Sequence, residues 1–461
     1  MAVDASAFRA YDIRGRVDAS ITEDLAFRLG RSFGTHIAAR EGAARPRVAV
    51  GRDNRSSSER LADALQRGLR ASGCDVRALG LSTSPLLYFA CAKFDLTGGI
   101  NVTGSHNPLD ENGFKLVGRG ARPVAGDELQ ELYRLAAGES FSSGSGTVST
   151  LSPGEAYFEH LRQQSEITKP FNVVTDTGNA VAGLFVPRFL EEAGCHVDAL
   201  YVDLDPAFPN HLPDPQMPEN VVGLQRRVRE VGADVGLAFD GDGDRLGVVD
   251  DRAARHEADY ILMLLARDLL RRQPGARILL DVKTSQAVID DIRGRGGDPV
   301  LSRTGHSLIK LRMRAEAVPL AGENSGHIFY QQNYYGDDGL FAACKLLSFL
   351  STVDGPLSRQ FDDVPEWHST PEIRRFCRDG AKAAVVAAVA AVLRERYPAD
   401  ETDGIRATFP TGWALVRASN TGPNLTMRFE ARSLAALEEI RDQVMTLVER
   451  EVRAAGADEP E

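Results

Sequence analysis

The stretch RVAVGRDNRSSSERLADALQRGLRASG (47–73) decides the architecture of this chain. It opens with a short apolar strand, RVAVGRD (47–53), passes through a polar turn, and enters a helix in which Leu61, Leu65 and Leu69 recur every four residues with Arg and Asp on the opposite face. Gly73 ends that helix, as a C-terminal glycine commonly does. Two other stretches, FNVVTDTGN (171–179) and RILLDVKTS (277–285), begin in the same way, and helical patterns from Gly154 and from Asp259 continue the alternation. The pattern predicts three diverged α/β units, with sheets covered by helices on both faces.

Beyond a break near VPEWHSTPEIR (364–374) the period changes. GIRATFPTGWALVRAS (404–419) and NLTMRFEA (424–431) alternate apolar and polar residues like half-exposed antiparallel strands, and 433–455 reads as one long amphipathic helix. That makes a small C-terminal α+β domain. The expected divisions are 1–150, 151–253, 254–365 and 366–461, with the Ser/Gly-rich segment 139–154 as a connector after the first unit. A chain of 461 residues is too long for one core, so several domains are required.

Hydrophobic residues at 43% and charged residues at 26% are ordinary for a globular protein. The formal charge of -11 argues against nucleic acid or an anionic membrane surface as partner, since both select a basic face. Cys74, Cys91, Cys195, Cys344 and Cys377 are odd in number and lack any CxxC pair, which suits a reducing compartment. The opening MAVDASAFRAYDIRG lacks the apolar run of a signal peptide, and nothing approaches the ~20 apolar residues of a membrane span. A cytoplasmic protein is expected.

In each α/β unit a second apolar strand runs into a polar, glycine-containing loop: GGINVTGSHNP (98–108), VGLAFDGDGDR (235–245) and VPLAGENSGHIF (318–329). Ligands of open α/β sheets bind beyond the carboxyl ends of strands, so these loops are candidate walls of one cleft, ordinary turns being the alternative. Asp240, Asp242 and Asp244 alternate with glycines. Two carboxylates ~4 Å apart repel by about 4 kcal/mol at an effective dielectric near 20, so three that converge need a cation. Oxygen ligands select a hard ion such as Mg²⁺. An EF-hand would need Gly where Arg245 stands and Glu where Asp251 stands, and a solvated acidic turn is the ordinary alternative.

Ser105, in TGSHNP, follows a buried-type strand beside Gly104, and the glycines of a hydrolase elbow are missing at 103 and 107. By itself such a serine is more often a turn residue than a nucleophile. Only seven lysines occur beside 47 arginines, which draws attention to Lys115 in the polar loop NGFKLV and to Lys283 at the end of RILLDVK. His306 in RTGHSLIK lies at a helix start. Arg417, Ser419, Asn420 and Thr421 bring a guanidinium, two hydroxyls and an amide to one loop, chemistry suited to a phosphate. A surface charge, a capped helix end or a plain hairpin loop is the alternative for each.

TGSHNP (103–108), DGDGDR (240–245), GENSGH (322–327) and RASNTGP (417–423), with FRAYDIRG (8–15), resemble in sequence order the motifs of the α-D-phosphohexomutases, most closely the bacterial phosphomannomutase/phosphoglucomutase branch. Glucosamine-phosphate mutases typically have a different opening and an SASHNP-type loop. The resemblance spans almost the whole chain. It implies three similar mixed α/β domains plus a C-terminal α+β domain around a central cleft, and reversible interconversion of hexose 1-phosphate and hexose 6-phosphate through phosphorylated Ser105 and a hexose 1,6-bisphosphate. It further implies Mg²⁺ on Asp240, Asp242, Asp244 and a Ser105 phosphate oxygen; Lys115, His306 and Arg245 beside the reacting group; Glu323 and Ser325 on sugar hydroxyls; and Arg14, Lys283, His327, Arg417, Ser419, Asn420 and Thr421 among the substrate ligands. Asn324 stands where this branch commonly has Met, and Gly422 where many relatives have Thr. Sugar phosphates, with glucose and mannose used alike, and a monomer are expected. A metal-dependent phosphosugar phosphatase and a non-catalytic phosphosugar-binding protein are the competing readings.

Overall fold

In the computed structural model, residues 3–420 and 422–458 are described. They fall into two compact units, one of Met1–Gln273 with Gly305–Asp362, the other of Pro274–Thr304 with Asp363–Glu461.

The first unit begins with a six-stranded mixed sheet in the spatial order Ile13–Arg16, Glu111–Gly118, Gly98–Val102, Arg47–Arg52, Asp75–Leu81, Val148–Thr150. Arg47–Arg52 pairs in parallel with both neighbours, and the two strands beyond Gly98–Val102 turn antiparallel. The helix predicted from leucine spacing is Ser58–Ala71, and Leu61, Leu65 and Leu69 are buried. Burying one leucine stabilises the fold by roughly 1.5–3 kcal/mol, so this stripe alone fixes the helix on its sheet. The segment 139–154 is no free connector. Its Val148–Thr150 adds an edge strand parallel to Asp75–Leu81, and Ser142 accepts from Arg31 and bonds Thr35. A three-residue strand with exposed side chains leaves no hydrophobic period to read.

A second sheet of the same unit has the order Arg255–His256, Leu246–Asp250, Val235–Phe239, Asn172–Asp176, His196–Leu200. Val235–Phe239 and Leu246–Asp250 form an antiparallel pair across the DGDGDR loop, and both are buried along their length. The unit is completed by the helix His306–Glu316, the short antiparallel strands Leu320–Gly322, Ile328–Tyr330 and Gly336–Asp337, and the helix Gly339–Thr352, whose first turn Asp338 caps through Phe341 N.

The second unit contains the parallel strands Arg277–Asp281 and Asp298–Ser302 with the helix Gln286–Gly294 between them. Its antiparallel sheet runs His368–Ser369, Asn424–Ala431, Gly412–Ala418, Ile405–Phe409, Ala399–Asp400, with Ile373–Phe376 also on Asn424–Ala431. The long final helix is Leu434–Ala454, capped by Ser433 on Ala436 N, within a residue of its expected limits. The strands expected to be half exposed are buried on nearly every residue. One face packs on the helices Lys382–Arg394 and Leu434–Ala454. On the other, Trp413 and Leu415 pack with Val282, and the polar residues Arg406, Arg428 and Glu430 are buried. Arg406 stacks 3.8 Å from the centre of the Trp413 ring, and Trp413 Nε1 donates to Glu430 at 2.6 Å.

Among the described residues no helix is long and apolar enough to cross a membrane, and all five cysteines are free and buried.

Candidate active site

Three strand ends in the first unit place the polar loops. Thr103–Pro108 leaves Gly98–Val102, Asp240–Arg245 leaves Val235–Phe239, and Glu323–His327 leaves Leu320–Gly322. At Ser105 the backbone takes φ 49°, a left-handed conformation that costs a residue with a Cβ of order 1–3 kcal/mol and persists only where its surroundings enforce it. Here Thr103 Oγ1 accepts from Ser105 N at 2.8 Å and Asp53 Oδ2 accepts from Gly104 N at 3.0 Å. The result is a buried hydroxyl aimed at the aspartate loop: Ser105 Oγ donates to Asp240 Oδ2 at 2.7 Å.

Asp240, Asp242 and Asp244 are fully buried, and one oxygen from each lies within 4.8 Å of the others. Lys115 Nζ sits 2.7 Å from Asp242 Oδ2 and also contacts Asp244 Oδ2. This lysine is on the strand Glu111–Gly118, opposite Asn101, not in a loop; asparagine and glycine before it disguised the strand. Burial and the neighbouring Asp242 and Asp244 charges push the Asp240 carboxyl well above its usual range. At Asp242, burial works in the same direction but Lys115 outweighs it and holds the carboxyl low. Ser84 Oγ donates to Asp242 Oδ2 at 2.6 Å, whereas Asp242 Oδ1 and Asp244 Oδ1 are buried with no hydrogen-bond partner. Three converging carboxylates with unused oxygens fit a hard dication, which would relieve both the repulsion and the orphaned acceptors.

Behind the trio lies a chain of buried ionisable groups. Arg245 Nε donates to His327 Nε2 at 3.0 Å, which leaves the ring proton on Nδ1, 2.9 Å from Asp337 Oδ2. His306 stacks on His327 with ring centres 5.3 Å apart. Its Nε2 lies 3.3 Å from Asp12 Oδ1 and its Nδ1 3.6 Å from Asp337 Oδ2. Burial lowers the His306 pKa despite the flanking carboxylates, which favours the neutral ring. Asp337 stays ionised well below the usual range because Lys310, donating to it at 2.8 Å, outweighs the cost of burial, with His327 adding to the effect. Arg14 joins this chain to the serine loop, with Nε on Asp12 at 3.0 Å and Nη1 donating to Asn107 Oδ1 at 2.7 Å. Glu323 Oε1 accepts from Gly305 N at 2.6 Å, immediately before His306, and Ser325 is half-buried beside it.

The first unit thus brings together Ser105, Lys115, Asp240, Asp242, Asp244, Arg245, His306, His327 and Arg14. Lys283, Arg417, Ser419 and Asn420 belong to the second unit. There Arg406 donates to the carbonyls of Val282 and Thr284 at 2.8 Å each, gripping the backbone on both sides of Lys283, whose Nζ is 3.3 Å from Glu372. Arg417 Nε donates to Asp403 at 2.8 Å, Asn420 Nδ2 to the Thr304 carbonyl at 3.1 Å, and Lys382 Nζ to the carbonyls of Ser419 and Gly422. Thr421 lies outside the described residues. Sequence reasoning did not assign Asp12, Asp53, Arg55, Lys310 or Asp337. Lys310 is one of only seven lysines, a rarity that drew attention to Lys115 and Lys283 alone, and Asp12 stood inside the FRAYDIRG motif.

Four family models cover nearly the whole chain: phosphoglucomutase/phosphomannomutase alpha/beta/alpha domains I, II and III match residues 5–143, 155–253 and 257–367, and the C-terminal domain of the same family matches 372–447. A phosphomannomutase/phosphoglucomutase of Pseudomonas aeruginosa is 43% identical over 439 residues, 95% of this chain and 94% of that one. A phosphoglucomutase of Neisseria gonorrhoeae is 40% identical over 448 residues, 96% of each chain. Among solved structures, a phosphoglucomutase/phosphomannomutase family protein from Burkholderia thailandensis superposes with a TM-score of 0.91 at 38% identity, covering 98% of each chain.

Proposed function

The chain belongs to the phosphoglucomutase/phosphomannomutase family, and on that premise we propose that it interconverts hexose 1-phosphates and hexose 6-phosphates through a phosphorylated Ser105. The observation that carries this reading is the 2.7 Å hydrogen bond from Ser105 Oγ to Asp240, one member of the buried aspartate trio. A serine hydroxyl merely ending a strand would not be driven into a left-handed backbone and aimed at three carboxylates.

In the forward half-reaction the phosphorus–oxygen bond to Ser105 breaks and a new one forms to the 1- or 6-hydroxyl of the bound sugar phosphate, giving a hexose 1,6-bisphosphate. The second half-reaction returns the other phosphoryl group to Ser105. Asp240, Asp242 and Asp244, with a phosphate oxygen on Ser105, are the ligands we assign to Mg²⁺, which when bound neutralises charge on the transferring group. Lys115, held in its charged form by Asp242 and Asp244, supplies a proton to the seryl oxygen as it leaves. The neutral His306 imidazole takes the proton of the attacking hydroxyl, and Asp12 and Asp337 are placed to stabilise the imidazolium. Arg245 balances charge at Asp240 and orients His327. Glu323 and Ser325 are assigned to sugar hydroxyls, and Arg14, His327, Lys283, Arg417, Ser419, Asn420 and Thr421 to the remaining contacts with substrate. Glucose and mannose phosphates are expected as substrates of a monomeric cytoplasmic enzyme of four domains, activated by hexose 1,6-bisphosphate.

A coupled assay from glucose 1-phosphate to glucose 6-phosphate, run beside a free-phosphate assay, tests the reading. Turnover that needs a divalent ion, is lost in Ser105→Ala and releases no free phosphate is the expected result. Release of phosphate without glucose 6-phosphate, or unchanged turnover in Ser105→Ala, refutes it.

A further inference from the structure

We infer that Arg55, buried in the turn between the strand Arg47–Arg52 and the helix Ser58–Ala71, is the positioning residue that sets the aim of Ser105. The proposal rests on the reading of Ser105 as the phosphoryl carrier.

The Arg55 guanidinium donates to four backbone carbonyls of one loop. Nη2 reaches Ser105 O at 2.9 Å and Asn107 O at 2.6 Å, while Nη1 reaches Pro108 O at 2.6 Å and Glu111 O at 3.1 Å. The fork is fixed in turn. Arg55 N donates to Asp53 Oδ1 at 3.0 Å, and Arg55 Nε lies 3.5 Å from Asp53 Oδ2, the same oxygen that accepts from Gly104 N. The Phe208 ring covers the guanidinium at 5.4 Å. A Cβ added at Gly104 would come within 2.9 Å of Arg55 Cδ and nearer still to the guanidinium, so the glycine is what lets the clamp close on the loop. Only 2% of the Arg55 side chain is exposed, and Asp53 is its single carboxylate partner within 4 Å among the described residues. Burying a charged group with so little ionic compensation is a poor way merely to hold a surface loop.

The geometry says what the clamp does. Ser105 has φ 49°, and in that pose its hydroxyl meets Asp240 at 2.7 Å. A planar fork of five donors can hold carbonyls from residues 105 to 111 in one mould, whereas the three donors of a lysine radiate from one nitrogen and cannot span them. Removing the fork leaves the hydroxyl present but frees the direction in which it points. Misaim by about 1 Å costs on the order of a hundredfold in rate while leaving ground-state binding alone.

The test uses Arg55→Lys and Arg55→Ala in the full-length enzyme, with kcat and KM on glucose 1-phosphate, thermal unfolding, and rescue of Arg55→Ala by millimolar guanidinium chloride. Expected are a fall in kcat of roughly a hundredfold with KM within about threefold of the unaltered enzyme, and at least tenfold recovery of Arg55→Ala by guanidinium. Guanidinium should do nothing for Ser105→Ala, which separates failure of this proposal from failure of the phosphoserine reading. A kcat for Arg55→Lys within threefold of the unaltered enzyme, or a loss that guanidinium never recovers and that follows the unfolded fraction, overturns the assignment. Should both arginine variants prove insoluble, Gly104→Ala displaces the same guanidinium without removing its charge. The same selective fall in kcat supports the clamp, and an unchanged kcat overturns it.

Discussion

Gly241 sits between two of the buried aspartates, and its backbone is one to which alanine is well suited, yet a Cβ there would lie 2.2 Å from the Ser105 carbonyl oxygen and 2.9 Å from its carbon. Ordinary contact begins near 3.4 Å, so the aspartate loop and the serine loop must part by roughly 1.2 Å in Gly241→Ala. Neither neighbour yields easily, because the obstructing carbonyl is itself held by Arg55 at 2.9 Å. Overpacking of this kind costs about 1–3 kcal/mol of folding free energy, too little to unfold a protein of this size. The functional loss should be larger. Displacement of about 1 Å between the reacting group and the charges that stabilise it is worth on the order of a hundredfold, or about 2.7 kcal/mol of transition-state stabilisation. The assay is kcat in the coupled reaction across a Mg²⁺ titration, with Gly138→Ala as the control, since a Cβ at Gly138 meets nothing within 4 Å. We expect a kcat lowered roughly a hundredfold that no concentration of Mg²⁺ restores. A folded Gly241→Ala with kcat within threefold of the control would show that the two loops need not touch for the reaction, and the reasoning would fail.

Other perturbations reach the supporting structure. Lys310→Met removes the ammonium partner of Asp337 and leaves that buried carboxylate with only the His327 and His306 rings, so about 3–5 kcal/mol of stability should be lost, read as a lowered onset of thermal unfolding; an onset unchanged from the parent chain would contradict the pairing. Trp413→Phe removes the donor to Glu430 Oε2, which retains Gln286 N at 2.8 Å, and should cost about 1–3 kcal/mol in denaturant unfolding, with loss confined to the second unit. His211 lies with Nε2 3.0 Å from Asp176 Oδ2 and Nδ1 2.9 Å from the Leu212 carbonyl. Burial lowers its pKa, but the hydrogen bond and charge of Asp176 outweigh it, so the folded value lies above the ordinary 6.5. The folded state therefore binds the proton more tightly than the unfolded chain. Its contribution is complete below pH 6.5 and fades as pH rises through the higher folded value. Thermal unfolding of His211→Gln should lose that part of the slope above pH 6.5, and identical pH profiles would dismiss the Asp176–His211 pair as a source of stability.

Periodicity carried the helices and the apolar strands. Leu61, Leu65 and Leu69 mark a face that nothing but a helix can present, and Ser433 marks the start of the last helix because its hydroxyl is the cap. Dense local motifs carried the serine loop and the aspartate trio, since their chemistry is written in consecutive residues. Long-range pairing leaves no such local mark. Asp337 becomes part of the site through His327, His306 and Lys310, and its own neighbours are glycine and a second aspartate that spends its charge on a helix cap. Arg55 stood inside the opening stretch and passed for a turn residue, because its four partners are carbonyls some fifty residues away and carbonyls have no sequence signature. The C-terminal strands looked half exposed because Arg406, Arg417, Arg428 and Glu430 are polar, but each is buried on the inner face of its own unit.

The discontinuous second unit sets a timetable for synthesis. Residues 274–304 leave the ribosome well before the strands that finish their unit, and Val282 and Leu301 must wait for Trp413 and Leu415. At ~5–20 residues per second, the roughly 110 residues between Thr304 and Leu415 impose a delay of about 5–20 seconds. A nascent chain stalled before Trp413 cannot complete the unit that carries Lys283.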